Sequence, residues 1–176
     1  MKGTSIRGLF LFVMLCAFVL AQAGFGWDVP ITSKPTRKIE AALLGDWFSG
    51  NTSERRLMQV RKIDDFSYLV SGDGHFYRAY HSDIAGVPFL SVQDIDSIDL
   101  AGREYFYLTW NLSDGGKRLD VHMVNDDLIP EQTRSSTAVA RILRRNVKNP
   151  ALLKGWYENH FTRDRQSGGA GRNGRD

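Results

Sequence analysis

Between Asp46 and Asn125 apolar and polar residues alternate with a period of two, and turn chemistry interrupts them about every eight to twelve residues. No other feature of the chain limits its fold as tightly. A period of two sends successive side chains to opposite faces of a strand, so this stretch reads as β rather than helix. Candidate strands fall at 46–50, 56–62, 66–71, 75–83, 87–93, 103–111 and 117–125. In the clearest of them Phe106, Leu108 and Trp110 share one face. Its partner carries Leu119, Val121 and Met123 on one face and Asp120 and His122 on the other. Ser113-Asp114-Gly115-Gly116 lies between these two, and Gly72-Asp73-Gly74 lies between two earlier strands. Both are hairpin signals, because Asp and Gly tolerate the positive φ that tight hairpin turns demand.

The flanks complete the pattern. Residues 37–44 read as a short helical turn, ended by Gly45. A helix is expected over 135–146, capped by Ser135 or Ser136, with Val139, Ile142 and Leu143 as its apolar stripe. Arg141, Arg144 and Arg145 suit the C-terminal end of its dipole. Asn149-Pro150 opens a second short helix around 150–154, and Trp156 to Arg163 reads as a last strand. The expected fold is mainly β: an antiparallel meander barrel of about eight strands with a late helix between the last two. A last strand returning beside the first would close the sheet and remove its edges.

The first 23 residues stand apart. Lys2 and Arg7 precede an apolar run from Leu9 to Leu20, which ends at Ala21-Gln22-Ala23. This is the pattern of a secretory signal peptide cleaved after Ala23, which places the processed chain in the periplasm or outside the cell. The run is too short for the roughly 20 residues that span a bilayer. Leu15 before Cys16 argues against a lipidated cysteine. Residues 24–36 form a lead-in, 37–163 the barrel domain, and 164–176 a disordered tail rich in Gly and Arg. Processing leaves about 150 residues, one domain's worth. The sole cysteine, Cys16, leaves with the leader, and with it any disulfide, thiol nucleophile or thiolate metal site. The formal charge of +3 includes Lys2 and Arg7, so the processed chain stands near +1 and does not point to nucleic acid. No transmembrane segment is expected after cleavage.

Leu43-Leu44-Gly45-Asp46-Trp47 resembles the start of a lipocalin-type (calycin) barrel, where a short helical turn leads into Gly-x-Trp on the first strand. The layout of leader, meander and late helix is similar over most of 37–163, and also resembles small exported bacterial proteins that carry such a barrel. The resemblance implies that Trp47 plugs the closed end, beneath an arginine from the late helix or last strand. Arg141, Arg144 and Arg163 are the candidates. The Thr-Asp-Tyr element and the disulfide cysteines of lipocalins are absent.

A barrel of eight strands is either filled by its own side chains or holds one small ligand. The interior candidates are Trp47, Phe66, Tyr68, Tyr80, Phe89, Phe106, Trp110 and Met123. As ordinary core they simply pack together. As a set they can line an apolar pocket of roughly 300 Å³ or more, with tyrosine hydroxyls orienting the ligand. His75, Tyr77 and His81 share one strand face, but His75 and His81 are about 20 Å apart along it. That exceeds any shared metal ion, so they read as surface or hairpin-end residues. Asp94, Asp96 and Asp99 lack the EF-hand pattern and read as a solvated loop. His122 with Asp126 or Asp127 offers acid–base chemistry on paper, but no nucleophile motif accompanies it, and Asn125-Asp126-Asp127 reads as a turn. Asn51 and Asn111 sit in glycosylation sequons. The expected function is an exported, non-enzymatic binder of a small apolar or amphipathic ligand, with no cofactor and no metal. The alternatives are an envelope or host-interface protein-binding module and, further off, a His/Asp hydrolase or isomerase.

Overall fold

The structure, a computed structural model, describes residues 26–49, 55–96 and 104–163. The leader, the Asn51 sequon, Asp99 and the tail lie outside them. Eight strands follow in sequence order: β1 Gly45–Ser49, β2 Arg56–Lys62, β3 Ser67–Gly72, β4 His75–Ile84, β5 Val87–Asp94, β6 Tyr105–Ser113, β7 Arg118–Val124 and β8 Leu153–Thr162. Each pairs antiparallel with the next, and β8 returns to β1 through Phe48 and Thr162, so the barrel is closed. Three hairpins turn on positive-φ pairs: Asp73-Gly74, Ala85-Gly86 and Asp114-Gly115. A 3-10 turn, Ala41–Leu43, leads into β1.

Among the described residues the one α-helix, α1, spans Ser136–Asn146 between β7 and β8. The Ser135 side chain caps it by accepting from the Ala138 N–H, and Arg144 and Arg145 close its last turn. The second short helix is a single 3-10 turn, Pro150–Leu152, capped by Asn149. β8 therefore begins three residues earlier than Trp156. Among the described residues no helix is long and apolar enough to cross a membrane.

Register separates two cores. Trp47 faces Met58, Met58 faces Gly72, and Gly72 faces His75, so these four positions share the inner face. The same counting places Tyr68, Ala79, Val92 and Phe106 in one inward row, and His81, Leu90, Leu108 and Met123 in the next. The inner core joins Trp47, Val60, Tyr68, Tyr77, Val92, Phe106, Leu119 and Phe161. A second core lies outside the sheet. There Ile84, Phe89 and Tyr107 are covered by Trp27 and Ile31 from the lead-in and by Val139 and Leu143 of α1.

Two of the expected interior residues are thereby moved. Tyr80 pairs with Ser67 and Ser91, and Phe89 with Ser82 and Thr109, all on the outer face. Both are buried, but under the lead-in and helix rather than inside the barrel. Sheet alternation alone misplaces them, because β4 and β5 are covered on both sides. Phe66 is also corrected: it sits at the β2–β3 turn and is 42% exposed.

The lead-in is a strap held by polar contacts as well as apolar ones. The Ile31 N–H donates to Ser91 Oγ at 3.1 Å, and Thr32 and Ser82 share a hydroxyl hydrogen bond at 2.7 Å. Tyr80 donates to the Thr32 carbonyl at 2.7 Å. Trp27 stacks on Tyr107 with centroids 4.3 Å apart, and its backbone exchanges two hydrogen bonds with Tyr105 beyond the end of β7. These contacts satisfy polar atoms on a sheet face that would otherwise be costly to bury.

Candidate functional site

The end of the barrel where β1 begins and β8 finishes is sealed. Gly45 has φ +136°, a conformation L side chains rarely adopt, and so turns the chain into β1. Two residues on, Trp47 is fully buried and donates from Nε1 to the Leu43 carbonyl at 2.8 Å. The Arg163 guanidinium lies over the Trp47 ring at 4.4 Å and donates to the carbonyls of Ala42 and Leu44. Of the three candidate arginines, Arg163 is the partner. Its planar fork suits the task, stacking on an indole and donating in plane.

Above this plug the interior changes character. Met58, Val70, Leu90, Leu108, Trp110 and Val121 all belong to the inner cluster, yet each is only partly buried. Met123 shares their face and their partial exposure. They come from β2, β3, β5, β6 and β7. An inward-facing side chain of a closed barrel is reached by solvent only through the interior. This belt therefore lines space that the described side chains leave open to solvent.

A polar cluster adjoins the belt. His81 was expected at the surface; the structure buries it completely. Its Nε2 and the Tyr68 hydroxyl are 2.7 Å apart, and the same hydroxyl accepts the Glu40 N–H. The His81 ring lies 5.8 Å from the Trp110 ring. Burial drives the His81 pKa down to about 4, with Arg37 adding to the shift, so the ring is neutral at pH 7. Burial pushes the Tyr68 hydroxyl up to about 12, so it keeps its proton.

Counting donors fixes the tautomer. Tyr68 already accepts from Glu40, and its own proton satisfies His81 Nε2 if that nitrogen is bare. The ring proton then sits on Nδ1. The opposite tautomer leaves both the Tyr68 proton and the Nδ1 lone pair unmet, a costlier arrangement. Nδ1 of His81 and Nε1 of Trp110 are both buried without a hydrogen-bond partner. Each unmet buried N–H costs about 1–3 kcal/mol.

The remaining candidates take other roles. His75, also inward-facing, pairs with Asp96 at 3.3 Å, and Asp96 accepts the Phe76 N–H while Asp94 accepts that of Asp96. These carboxylates organise a loop. Asn125 caps a 3-10 turn by accepting the Asp127 N–H, and Asp126 pairs with Lys154. His122 lies on the outer face, in register with Thr109 and Glu158. Among the described residues no group of three or more His, Cys, Asp or Glu side chains is placed to hold a metal ion.

Fold and site together define a closed eight-stranded antiparallel barrel, plugged at one end, with an apolar belt inside and, among the described residues, His81 Nδ1 and Trp110 Nε1 buried without a partner on inward-facing rings. No known protein family, curated protein or solved structure matches the chain.

The sequence pointed to Trp47, Tyr68, Phe106, Trp110 and Met123 as interior, and register places all five on the inner face. It missed His81 as an interior group. The only available signal was its position between the bulky Tyr80 and the small Ser82 on a strand covered on both sides.

Proposed function

We propose that this chain is an exported, non-enzymatic barrel of lipocalin type whose interior binds a small amphipathic ligand. The observation that carries the reading is the belt of inward-facing apolar side chains that solvent still reaches. A barrel built only as a scaffold would fill that space, since an unfilled core forfeits packing energy. The lipocalin kinship is supported by Gly45, Trp47 and Arg163 acting as one plug. Export is supported by the pattern of residues 1–23.

The envelope-partner reading draws on exposed apolar residues, of which Leu57 and Phe76 lie on the outer sheet face and Ile63 and Phe66 at the β2–β3 turn. Leu57 and Ile63 are about 20 Å apart along the chain, so these residues do not gather into one broad patch. The ligand reading is the stronger. Native mass spectrometry of protein recovered from its own source tests it. The expected species is a chain starting at Gly24 that carries a small molecule released on denaturation. A bare polypeptide, or one that retains a second chain instead, contradicts the binding reading. A mass that includes Met1–Ala23 contradicts export.

A further inference from the structure

Between Glu131 and Glu158 the chain holds no acidic residue, and α1 lies within that stretch. Its apolar side, Val139 and Leu143, is buried in the outer core. Arg141, Arg144, Arg145 and Lys148 stand on the opposite side, and all four are exposed. At about 3.6 residues per turn they fall within an arc of roughly 100°, in a row about 10 Å long. Lys148 extends the row past the C-cap Val147, whose backbone is still helical.

None of the four has a hydrogen-bond or ion-pair partner among the described residues. Cations elsewhere do: Arg37 pairs with Glu40, Arg61 with Asp46, Lys62 with Asp65 and Arg134 with Asp28. The helix dipole favours Arg144 and Arg145 in the last turn. It does not account for four cations side by side, because like charges three and four residues apart repel. An anion from outside the chain relieves that repulsion.

The rest of the helix face narrows the kind of anion. Single-stranded nucleic acid is held by stacking on aromatic rings, and α1 contains none. A protein partner is anchored by apolar or aromatic side chains near the centre of its interface, and the exposed positions of α1 are Thr137 and the three arginines. An anionic bilayer needs no such anchor, because its surface potential attracts clustered cations without pockets or shape. We infer that the exposed face of α1 docks the barrel, side-on, against a membrane surface rich in anionic phospholipid.

Co-sedimentation with vesicles tests this. The processed chain is expected to bind vesicles of equal parts phosphatidylglycerol and phosphatidylcholine, and not vesicles of phosphatidylcholine alone. At an ionic strength of about 0.1 M, charges more than about 10 Å from the surface are screened, so only the docked face counts. Each cation there is worth about a fivefold gain in partitioning, so Arg141→Gln with Arg144→Gln should weaken binding about 25-fold. Lys38→Gln with Lys117→Gln removes the same charge at exposed positions on other elements and should weaken it less than about threefold. Equal losses from the two pairs, equal binding to both vesicle types, or a single-stranded oligonucleotide bound more tightly than the vesicles would overturn the inference. The ligand reading stands apart from this surface. Wild type and the α1 variant should brighten phenylnaphthylamine, an apolar fluorescent probe, alike, and a probe that brightens with neither would count against the interior alone.

Discussion

His81 makes the barrel acid-sensitive in a calculable way. The ring is fully buried, and protonating it places a second N–H against a Tyr68 oxygen that already accepts from Glu40. Its pKa falls from 6.5 in the unfolded chain to about 4 in the fold. The unfolded state therefore takes up the proton first as pH drops, and each such proton favours unfolding. Above pH 6.5 both states are neutral and the effect vanishes. Below pH 4 both are charged and the loss levels off. At one pKa unit per 1.36 kcal/mol the full loss is about 3 kcal/mol, and about 2 kcal/mol of it falls between pH 7 and pH 5. The carboxylates of Asp46, Asp65 and Asp120 are held low by Arg61, Lys62 and Arg118 respectively. Their contribution is lost only below their unfolded value of 3.8, outside this window. Urea unfolding at pH 7 and pH 5 reads the difference, with His81→Phe as reference. The variant starts less stable, because Tyr68 loses its acceptor, but it should lose about 2 kcal/mol less than wild type over that interval. Parallel losses in the two proteins would refute the buried neutral imidazole.

Two further substitutions probe the plug and the strap. Arg163→Ala removes the guanidinium from Trp47 and the donor from two carbonyls, and should cost about 2 kcal/mol in urea unfolding. Arg141→Ala and Arg144→Ala, at exposed helix positions, should stay within about 0.5 kcal/mol of wild type. Trp27→Ala uncovers the outer core and should cost about 3 kcal/mol, with phenylnaphthylamine affinity unchanged in the folded protein because Trp27 lies outside the sheet.

Much of this architecture was legible in the residues. Asp73-Gly74 and Asp114-Gly115 announced their hairpins through the positive φ they adopt. Ser135 and Asn149 announced the α1 and 3-10 caps through side chains that accept backbone N–H groups. The resemblance of Gly45-x-Trp47 to a lipocalin-type barrel entry implied the sealed end, where Gly45 takes its positive φ and Trp47 is fully buried. What remained hidden was which face of β4 and β5 looks inward. Tyr80, His81 and Ser82 are buried in succession, so apolar alternation carries no sign there. Only the cross-strand register, a long-range property set by eight pairings, decides it. The choice of Arg163 over Arg141 and Arg144 is hidden for the same reason, because it depends on where β8 ends beside β1.

The central claim is that the barrel interior is open to a guest, and crowding that interior tests it most directly. Leu108→Trp adds bulk on the inner face, whereas Ser71→Trp adds it on the outer face beside Phe76. Phenylnaphthylamine should brighten with wild type and Ser71→Trp, and should lose most of that response with Leu108→Trp while the circular dichroism spectrum stays that of a β protein. Equal brightening in all three proteins would place the probe elsewhere and contradict the account.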